Sequence, residues 1–279
     1  PHYFFLLMAD TLSSRMFVNT LGIPGILLMI WLGGLWFTIF TSVVMLLAIR
    51  EFYQINSTQD SVPMLWLGWI ATLGILMMYD NSVVLVDNYL IIFIIGFVLV
   101  GMTVELFRYK PNPTRNIAIT FFGIFYIPIL LGTLLSLRQM DTDYNSHLTF
   151  GLFISIWVCD SSAYLAGRKW GKKKICERIS PKKTVVGCAA GFIGAGVVYS
   201  VMIATKVLGT QFGWVDVAMF TVISGIFGQM GDFSESLIKR DVGVKDSGSF
   251  LPGHGGVLDR FDSLIFASPL TFVYVQLFF

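Results

Sequence analysis

The chain alternates long apolar stretches with short polar loops. Nine stretches are candidate membrane-spanning helices, because a helix needs about 20 mostly apolar residues, or slightly fewer, to cross a bilayer. They cover residues 18–33, 35–50, 62–79, 88–107, 116–137, 147–168, 184–207, 214–238 and 259–279. Only Gly33 and Gly34 separate the first two, and their joint length exceeds one crossing, so we favour a tight hairpin over one bent helix. The pattern predicts an all-α polytopic integral membrane protein of about nine transmembrane helices.

Composition agrees with this class. Of the 279 residues, 55% are hydrophobic and 13% charged, whereas soluble domains average about 25% charged residues. One soluble core cannot bury this much apolar surface at this length. The 3 cysteines are an odd number and argue against a disulfide scaffold, and neither intrinsic disorder nor nucleic-acid binding fits. A transporter, a channel, a scaffold or a membrane-embedded enzyme remains.

The basic residues are distributed asymmetrically about the predicted membrane. With nine spans, 17 of the 19 Lys and Arg residues fall on one side, and only Arg138 and Lys206 fall on the other. Basic loops stay in the cytoplasm, so we expect a cytoplasmic amino terminus. Residues 1–14 are apolar but lack the basic start of a signal peptide. We interpret them as an interfacial segment or a remnant of expression.

Side chains suited to chemistry are concentrated in the second half of the chain. We interpret residues 1–145 as a scaffold of about five spans and residues 146–279 as a catalytic region of about four spans with cytoplasmic loops. In the scaffold, Glu105 precedes Arg108 by one turn, which favours a local ion pair. Asp160 lies in the cytoplasmic half of the sixth span. An unpaired carboxylate there costs about 2.5 kcal/mol or more, so we expect a partner or a wet cavity.

The loop after the sixth span is basic and contains two glycines. Gly167 and Gly171 accompany Arg168 and Lys172. A basic loop is typical of a topology signal that also contacts anionic lipid headgroups. Glycines beside cations also suit the binding of a phosphate by backbone amides. Both interpretations stay open on this segment alone.

One face of the eighth span is polar. The face carries Asp232, Glu235, Ser236 and Lys239. Because such a stripe cannot face lipid, it predicts a polar cavity that opens towards the cytoplasm. Gly225, Gly228 and Gly231 precede it as a strip of small residues, for which close helix packing is the expected role.

A constrained, glycine-rich loop leads into the ninth span, which begins with two carboxylates. Carboxylates at a helix start often serve capping alone. Here, however, four of them bracket one loop and would repel one another without a cation: Asp232, Asp246, Asp259 and Asp262. Oxygen ligands of this kind suit Mg²⁺, and no Cys/His array suggests zinc. The basic residues available to offset phosphate charge are Lys239, Arg240, Lys245 and Arg260.

A run of defined residues extends over positions 236–262. It reads Ser236-x-Ile238-Lys239-Arg240-x4-Lys245-Asp246-x-Gly248-x2-Leu251-Pro252-x-His254-Gly255-Gly256-Val257-x-Asp259-Arg260-Phe261-Asp262. The run resembles the signature of the phosphatidate cytidylyltransferases, also called CDP-diacylglycerol synthases. Segments around Asp160–Lys172 and Ser180–Thr184 resemble further parts of that family, so the resemblance covers about residues 145–279. Val186 departs from it, since members often carry Glu there.

The resemblance implies a function and roles for the residues. The family condenses CTP with phosphatidic acid to CDP-diacylglycerol and pyrophosphate, in the membrane and with Mg²⁺; a second cation is left open. Asp232 and Asp259 would ligate the metal, with Asp246 or Asp262 assisting. The residues expected on the triphosphate are Lys239, Lys245 and Arg260. Further substrate-binding candidates are Asp160, Arg168, Lys172, Ser236, Arg240, His254, Gly255 and Gly256, with a structural role equally open for His254.

Two alternatives and one question of assembly accompany this interpretation. A cation-coupled transporter would also place acids in the membrane, but here they cluster at one face and no inverted repeat is visible. A nucleotide-dependent polyprenol kinase is the nearer alternative. Gly187, Gly191 and Gly194 form a small-residue face that suits either a homodimer or packing within one chain. We expect a prokaryotic plasma membrane, with the active site facing the cytoplasm.

Overall fold

The structure is a computed structural model that describes residues 20–79, 89–143, 147–248 and 255–279. Within these ranges the regular elements are helices, accompanied by two isolated bridges, Thr58 to Ser61 and Lys174 to Thr184. The all-α prediction is therefore confirmed. Residues 1–14 and His254, for which predictions were made, lie outside the described ranges.

Each of the nine predicted stretches coincides with helical structure. The helices are α1 (Thr20–Leu32), α2 (Gly34–Asn56), α3 (Leu65–Tyr79), α4 (Tyr89–Arg108), α5 (Pro113–Ile124), α6 (Leu130–Asp143), α7 (Leu148–Trp170), α8 (Val185–Ala204), α9 (Trp214–Val222), α10 (Gly228–Asp241) and α11 (Leu258–Phe278). A π-helical turn, Phe125–Ile129, joins α5 to α6, and a second one, Ile223–Phe227, joins α9 to α10.

Length and apolarity qualify seven helical stretches of the described chain to cross a membrane, while α1 and α3 are shorter. Within the part of the chain that the structure describes, most of α4 is uncovered, since only 11% of its apolar stretch is buried. A helix that is apolar all round and uncovered requires a lipid surrounding. The protein is thus a polytopic membrane protein. The number of crossings and the cytoplasmic amino terminus stay predictions.

Local sequence explains where several helices begin and bend. The break between α1 and α2 falls at Gly33, whose φ of +59° suits glycine. Pro113 begins α5, where a missing backbone N–H costs nothing. Pro128 lies in the first π-helical turn, which accommodates its ring and missing donor. Thr184 caps α8, because its hydroxyl accepts the Gly187 N–H at 3.1 Å.

The chain forms two compact units, which are described separately. Unit 1 comprises the described residues up to Gly132 together with those of 246–260. Unit 2 comprises the described residues of 133–245 and 261–279. The predicted functional division at residue 145 is a different kind of boundary and stays a prediction.

Unit 1 packs α2, α3 and α5 around Tyr53. The Tyr53 hydroxyl donates to the Thr120 carbonyl oxygen at 2.6 Å, and Gly68 and Gly123 leave room for the ring. The predicted local pair is present, with Arg108 and Glu105 2.6 Å apart. Unit 1 therefore has closely packed helices, and it also contains an ion pair whose carboxylate is buried.

Unit 2 is built on the packing of α7 against α8. Added Cβ atoms on Gly187, Gly191 and Gly194 would lie 2.7, 2.9 and 2.7 Å from atoms of α7. The small-residue face of α8 therefore serves packing within the chain, one of its two predicted roles. Homodimer formation stays a prediction that this face no longer supports.

Candidate active site

A charged cavity of about 570 Å³ lies in unit 2, between the second half of α7, the start of α8 and the start of α10. Asp160 and Asp232 supply its carboxylates. Its cationic side chains are Arg168, Lys174, Lys182 and Lys183. The volume suits a small-molecule ligand. Since both signs of charge meet at one site, the cavity can bind an anion and a cation together.

Asp232 is the carboxylate that α10 brings to this cavity. The Ser236 hydroxyl donates to its Oδ1 at 3.4 Å, and the Lys183 ammonium forms an ion pair with its Oδ2. Both charged side chains of the pair are 26% exposed. The Lys183 Nζ also lies 4.3 Å from the centroid of the Phe233 ring. Asp232 is thus reachable from the cavity while an ammonium group already contacts it.

A second carboxylate of unit 2, Asp262, lies in the first turns of α11. The carboxylates of Asp232, Glu235 and Asp160 are near enough to act on this side chain electrostatically. The helices that carry Asp232 and Asp262 approach closely, since an added Cβ on Gly231 would lie 2.5 Å from the Asp262 carbonyl oxygen. The glycine strip of α10 therefore has the packing role predicted for it, and it brings two acidic positions together.

The polar face of α10 is only partly exposed to the cavity. Asp232 lines the cavity, whereas Glu235 and Lys239 are 1% and 8% exposed and form an ion pair with each other. The prediction that this face cannot point to lipid is consistent with that burial. Glu235 and Lys239 were expected to face the polar cavity. Instead, the charge of each is paired with that of the other, one helical turn away.

The glycines of the basic loop serve the junction of α7 and α8. Added Cβ atoms on Gly167 and Gly171 would contact the side chain of Thr184. The Gly171 N–H donates to the Gly167 carbonyl oxygen at 3.0 Å and so completes the end of α7. The structure favours close packing for these glycines over a phosphate cradle made of their amides. Both residues nonetheless line the cavity.

In unit 1, two carboxylates hold residues 246–248 and 255–260 of the signature run, which flank the part of the run called the signature loop, residues 249–254. The first is Asp259, whose Oδ2 accepts the N–H groups of Ser247 at 3.0 Å and Gly256 at 2.8 Å. Gly255 has a φ of +81°, and an added Cβ there would lie 2.7 Å from the same oxygen. Asp259 therefore organises the loop ends, as the capping interpretation expects, and a glycine is required beside it.

The second carboxylate is Glu51, which comes from α2. Its Oε1 accepts the Val257 N–H at 3.0 Å, and its Oε2 accepts the Leu258 N–H at 2.8 Å and the Ser247 hydroxyl at 3.1 Å. The residue is 4% exposed. Added Cβ atoms on Gly248 and Gly256 would meet its carboxylate. Two glycines of the signature are thus explained by the space that Glu51 occupies.

The remaining predicted site residues fall into two groups. Arg240 contacts backbone, since its side chain donates to the Ile179 and Val244 carbonyl oxygens at 3.3 and 2.9 Å. The others are exposed side chains: Arg168, Lys172, Lys245, Asp246 and Arg260. Their roles in substrate binding stay predictions, as do those of Asp232, Asp259 and Lys239.

Sequence reasoning missed Glu51 and gave Lys183 no role. Glu51 follows Arg50 at the end of an apolar stretch, which is typical of an interfacial acid, and its partner Ser247 is 196 residues away. No local signal distinguishes it. Lys183 did carry a signal, because it lies in the segment Ser180–Thr184 that resembles the family.

The fold and the cavity define a polytopic α-helical membrane protein with a charged site at the ends of its helices. A sequence profile of the cytidylyltransferase family matches residues 13–278. The chain belongs to this family and is a nucleotidyltransferase.

Curated relatives cover nearly the whole chain. A phosphatidate cytidylyltransferase of Brucella abortus is 32% identical over 89% of this chain and 87% of its own. One of Staphylococcus saprophyticus is 34% identical over 85% and 89%. One of Synechocystis is 30% identical over 95% and 97%. These matches extend the likeness well into the amino-terminal half, which the signature alone did not cover.

Proposed function

We propose that this protein condenses CTP with phosphatidic acid to give CDP-diacylglycerol and pyrophosphate, in a prokaryotic plasma membrane and with Mg²⁺. The observation that carries the proposal is the cavity at the end of α7, in which carboxylates and four cationic side chains meet. The curated relatives are named for this reaction. None of these relatives is named as a transporter.

The chemistry requires charge neutralisation more than proton transfer. An oxygen of the lipid phosphate attacks the α-phosphorus of CTP, and the bond from that phosphorus to the bridging oxygen of the β-phosphate breaks. The attacking oxygen is already anionic near neutral pH, so no strong general base is needed. The obstacle is the approach of two polyanions, which positioning and cationic side chains overcome.

The cavity supplies cations for this task. Lys174, Lys182, Lys183 and Arg168 line it together. Lysine binds phosphate as a point charge and arginine can bind it through two parallel hydrogen bonds. We assign them to the phosphates of the nucleotide and the lipid. The basic residues predicted to face the cytoplasm support placing the site at that membrane face.

The donor set fits Mg²⁺. Asp232 and Asp262 offer carboxyl oxygens within one unit, and the Asp232 carboxylate acts electrostatically on the Asp262 side chain. Among the residues described, no group of three or more His, Cys, Asp or Glu side chains is arranged to hold a metal. Mg²⁺ suits such a site, since it prefers one or two carboxylates plus water and substrate phosphates. Bound there, it would offset phosphate charge; Asp259 as a principal ligand, assistance from Asp246, and a second cation stay predictions.

The test is a reconstituted reaction. Purified protein in mixed micelles is given Mg²⁺, phosphatidic acid and one nucleotide at a time, and both pyrophosphate and the lipid product are followed. We expect activity with CTP and label transfer from its α-phosphate to lipid. ADP release from ATP, or no reaction with CTP, would refute the proposal and favour a lipid kinase in the first case.

Two matched variants localise the reaction. Asp232→Asn is expected to abolish turnover, because it removes a carboxylate from the cavity. Asp241→Asn changes an exposed acid at the end of the same helix and should leave turnover unchanged. Full activity in Asp232→Asn would remove this residue from the site.

A further inference from the structure

Glu51 is a buried carboxylate whose partners all belong to the segments flanking the signature loop. It lies in α2, far from them in sequence, yet it accepts hydrogen bonds from Ser247 before the loop and from Val257 and Leu258 after it. All of these residues belong to unit 1. One side chain therefore ties the two ends of the loop to each other and to α2.

The geometry of these bonds requires a hydrogen-bond acceptor at both oxygens of the Glu51 side chain. Each carboxylate oxygen accepts one backbone N–H, from Val257 at 3.0 Å and from Leu258 at 2.8 Å. A glutamine has one oxygen and one NH₂ group, and the NH₂ group cannot accept. Whichever way it turned, one backbone N–H would face a donor. An isosteric amide cannot replace the carboxylate here.

The loop ends are fitted to this carboxylate. An added Cβ on Gly248 would lie 2.6 Å from the Glu51 Oε1, and one on Gly256 would contact both Glu51 and Ser247. The same Ser247 and Gly256 donate their backbone N–H groups to Asp259. Glu51 thus holds the residues that in turn hold the Asp259 side chain.

We propose that Glu51 is a positioning residue of the cytidylyltransferase reaction, which holds the start of α11 and thereby fixes Asp259 and the loop ends. The inference rests on the proposed function. Glu51 binds neither nucleotide nor lipid in this role. Its loss should lower kcat by about tenfold to hundredfold, as expected for a displacement of about 1 Å at a reacting site, with a smaller change in KM for CTP.

The test compares Glu51→Gln with Glu105→Gln. Glu105 is a second buried carboxylate of unit 1, 5% exposed, whose partners are Arg108 and Asn116. Both variants are made in the full chain, and kcat and KM are measured with CTP and phosphatidic acid in micelles. Amide hydrogen exchange is followed in the peptide that contains Val257 and Leu258.

We expect Glu51→Gln alone to lower kcat and to accelerate exchange in that peptide. An equal loss of kcat in Glu105→Gln would overturn the proposal, because the effect would then reflect general destabilisation. Unchanged exchange in Glu51→Gln, or faster exchange with normal kcat, would also overturn it. If Glu51→Gln does not fold, Ser247→Ala is measured in its place, because it removes one hydrogen bond to the Glu51 Oε2. It should lower kcat, by less than the loss expected for Glu51→Gln, and an unchanged kcat would overturn the proposal.

The two proposals fail in different ways. If the wild-type protein does not act on CTP and phosphatidic acid, the proposed function is refuted. Exchange at Val257 and Leu258 then decides by itself whether Glu51 holds the loop ends. Normal wild-type activity with an indifferent Glu51→Gln refutes only the positioning role.

Discussion

The substitution Gly231→Ala gives a sharp structural prediction, because α10 and α11 are in contact where the alanine methyl group would have to fit. An added Cβ would lie 2.5 Å from the Asp262 carbonyl oxygen and 3.2 Å from the Ser263 Cα. These atoms are backbone and cannot turn aside as a flexible side chain would. Gly231→Ala must therefore push the two helices apart.

The size of the displacement follows from these distances. An ordinary contact between heavy atoms is about 3.5 Å, so the added methyl group requires a shift of about 1 Å. Overpacking of this kind costs about 1–3 kcal/mol. Asp232 is the next residue on α10 and Asp262 carries the contacted oxygen, so the shift separates the two acidic positions proposed for the metal. A displacement of about 1 Å can cost about a hundredfold in rate.

The assay combines turnover with thermal unfolding in detergent. We expect Gly231→Ala to lower kcat by about tenfold or more while the protein remains folded. Gly96→Ala on α4 is the matched control, because an added Cβ there would have nothing within 4 Å. Alanine should leave activity unchanged in the control and favour the helix slightly. Wild-type kcat in Gly231→Ala would refute the reasoning.

Three further outcomes are expected. Lys183→Met should tighten Mn²⁺ binding to the nucleotide-free protein by about fivefold, because an ion pair worth about 1 kcal/mol no longer competes for Asp232; weaker binding in a Mn²⁺ resonance titration would contradict this. Thr184→Ala should cost about 1 kcal/mol of stability through the lost helix cap, whereas Thr184→Ser should not, as thermal denaturation would reveal. Tyr274→Phe removes a 2.5 Å hydrogen bond to Asp216 and should cost about 1–2 kcal/mol. Its kcat per folded protein should stay normal, since neither residue lines the cavity.

Hydrophobic patterning was sufficient to locate the helices. The predicted stretch 88–107 became Tyr89–Arg108, and 147–168 became Leu148–Trp170, because a bilayer imposes a minimum apolar length that is visible in any sequence. The π-helical turns were not foreseeable in the same way. Pro128 lies in one of them, but Ile223–Phe227 contains no proline.

Charge pairing was the part of the site that the sequence could not supply. Glu235 and Lys239 were expected to face a polar cavity, yet they form an ion pair with each other inside unit 2. Asp232 was expected beside a metal, and its partner in the structure is Lys183 from a different helix junction. Periodicity places Glu235 and Lys239 one turn apart, but it shows neither their burial nor the Lys183 partner of Asp232, because both depend on contacts between distant segments.

The composition of unit 1 limits how independently its two segments can change in evolution. Residues 246–260 carry much of the signature, yet they belong to the same compact body as the amino-terminal helices. The amino-terminal half therefore folds together with this part of the signature. Its sequence cannot diverge as freely as that of a segment that served only to anchor the protein in the membrane. A chimaera that joined the first half of one relative to the second half of another would have to match an acid at position 51 with glycines at positions 248 and 256.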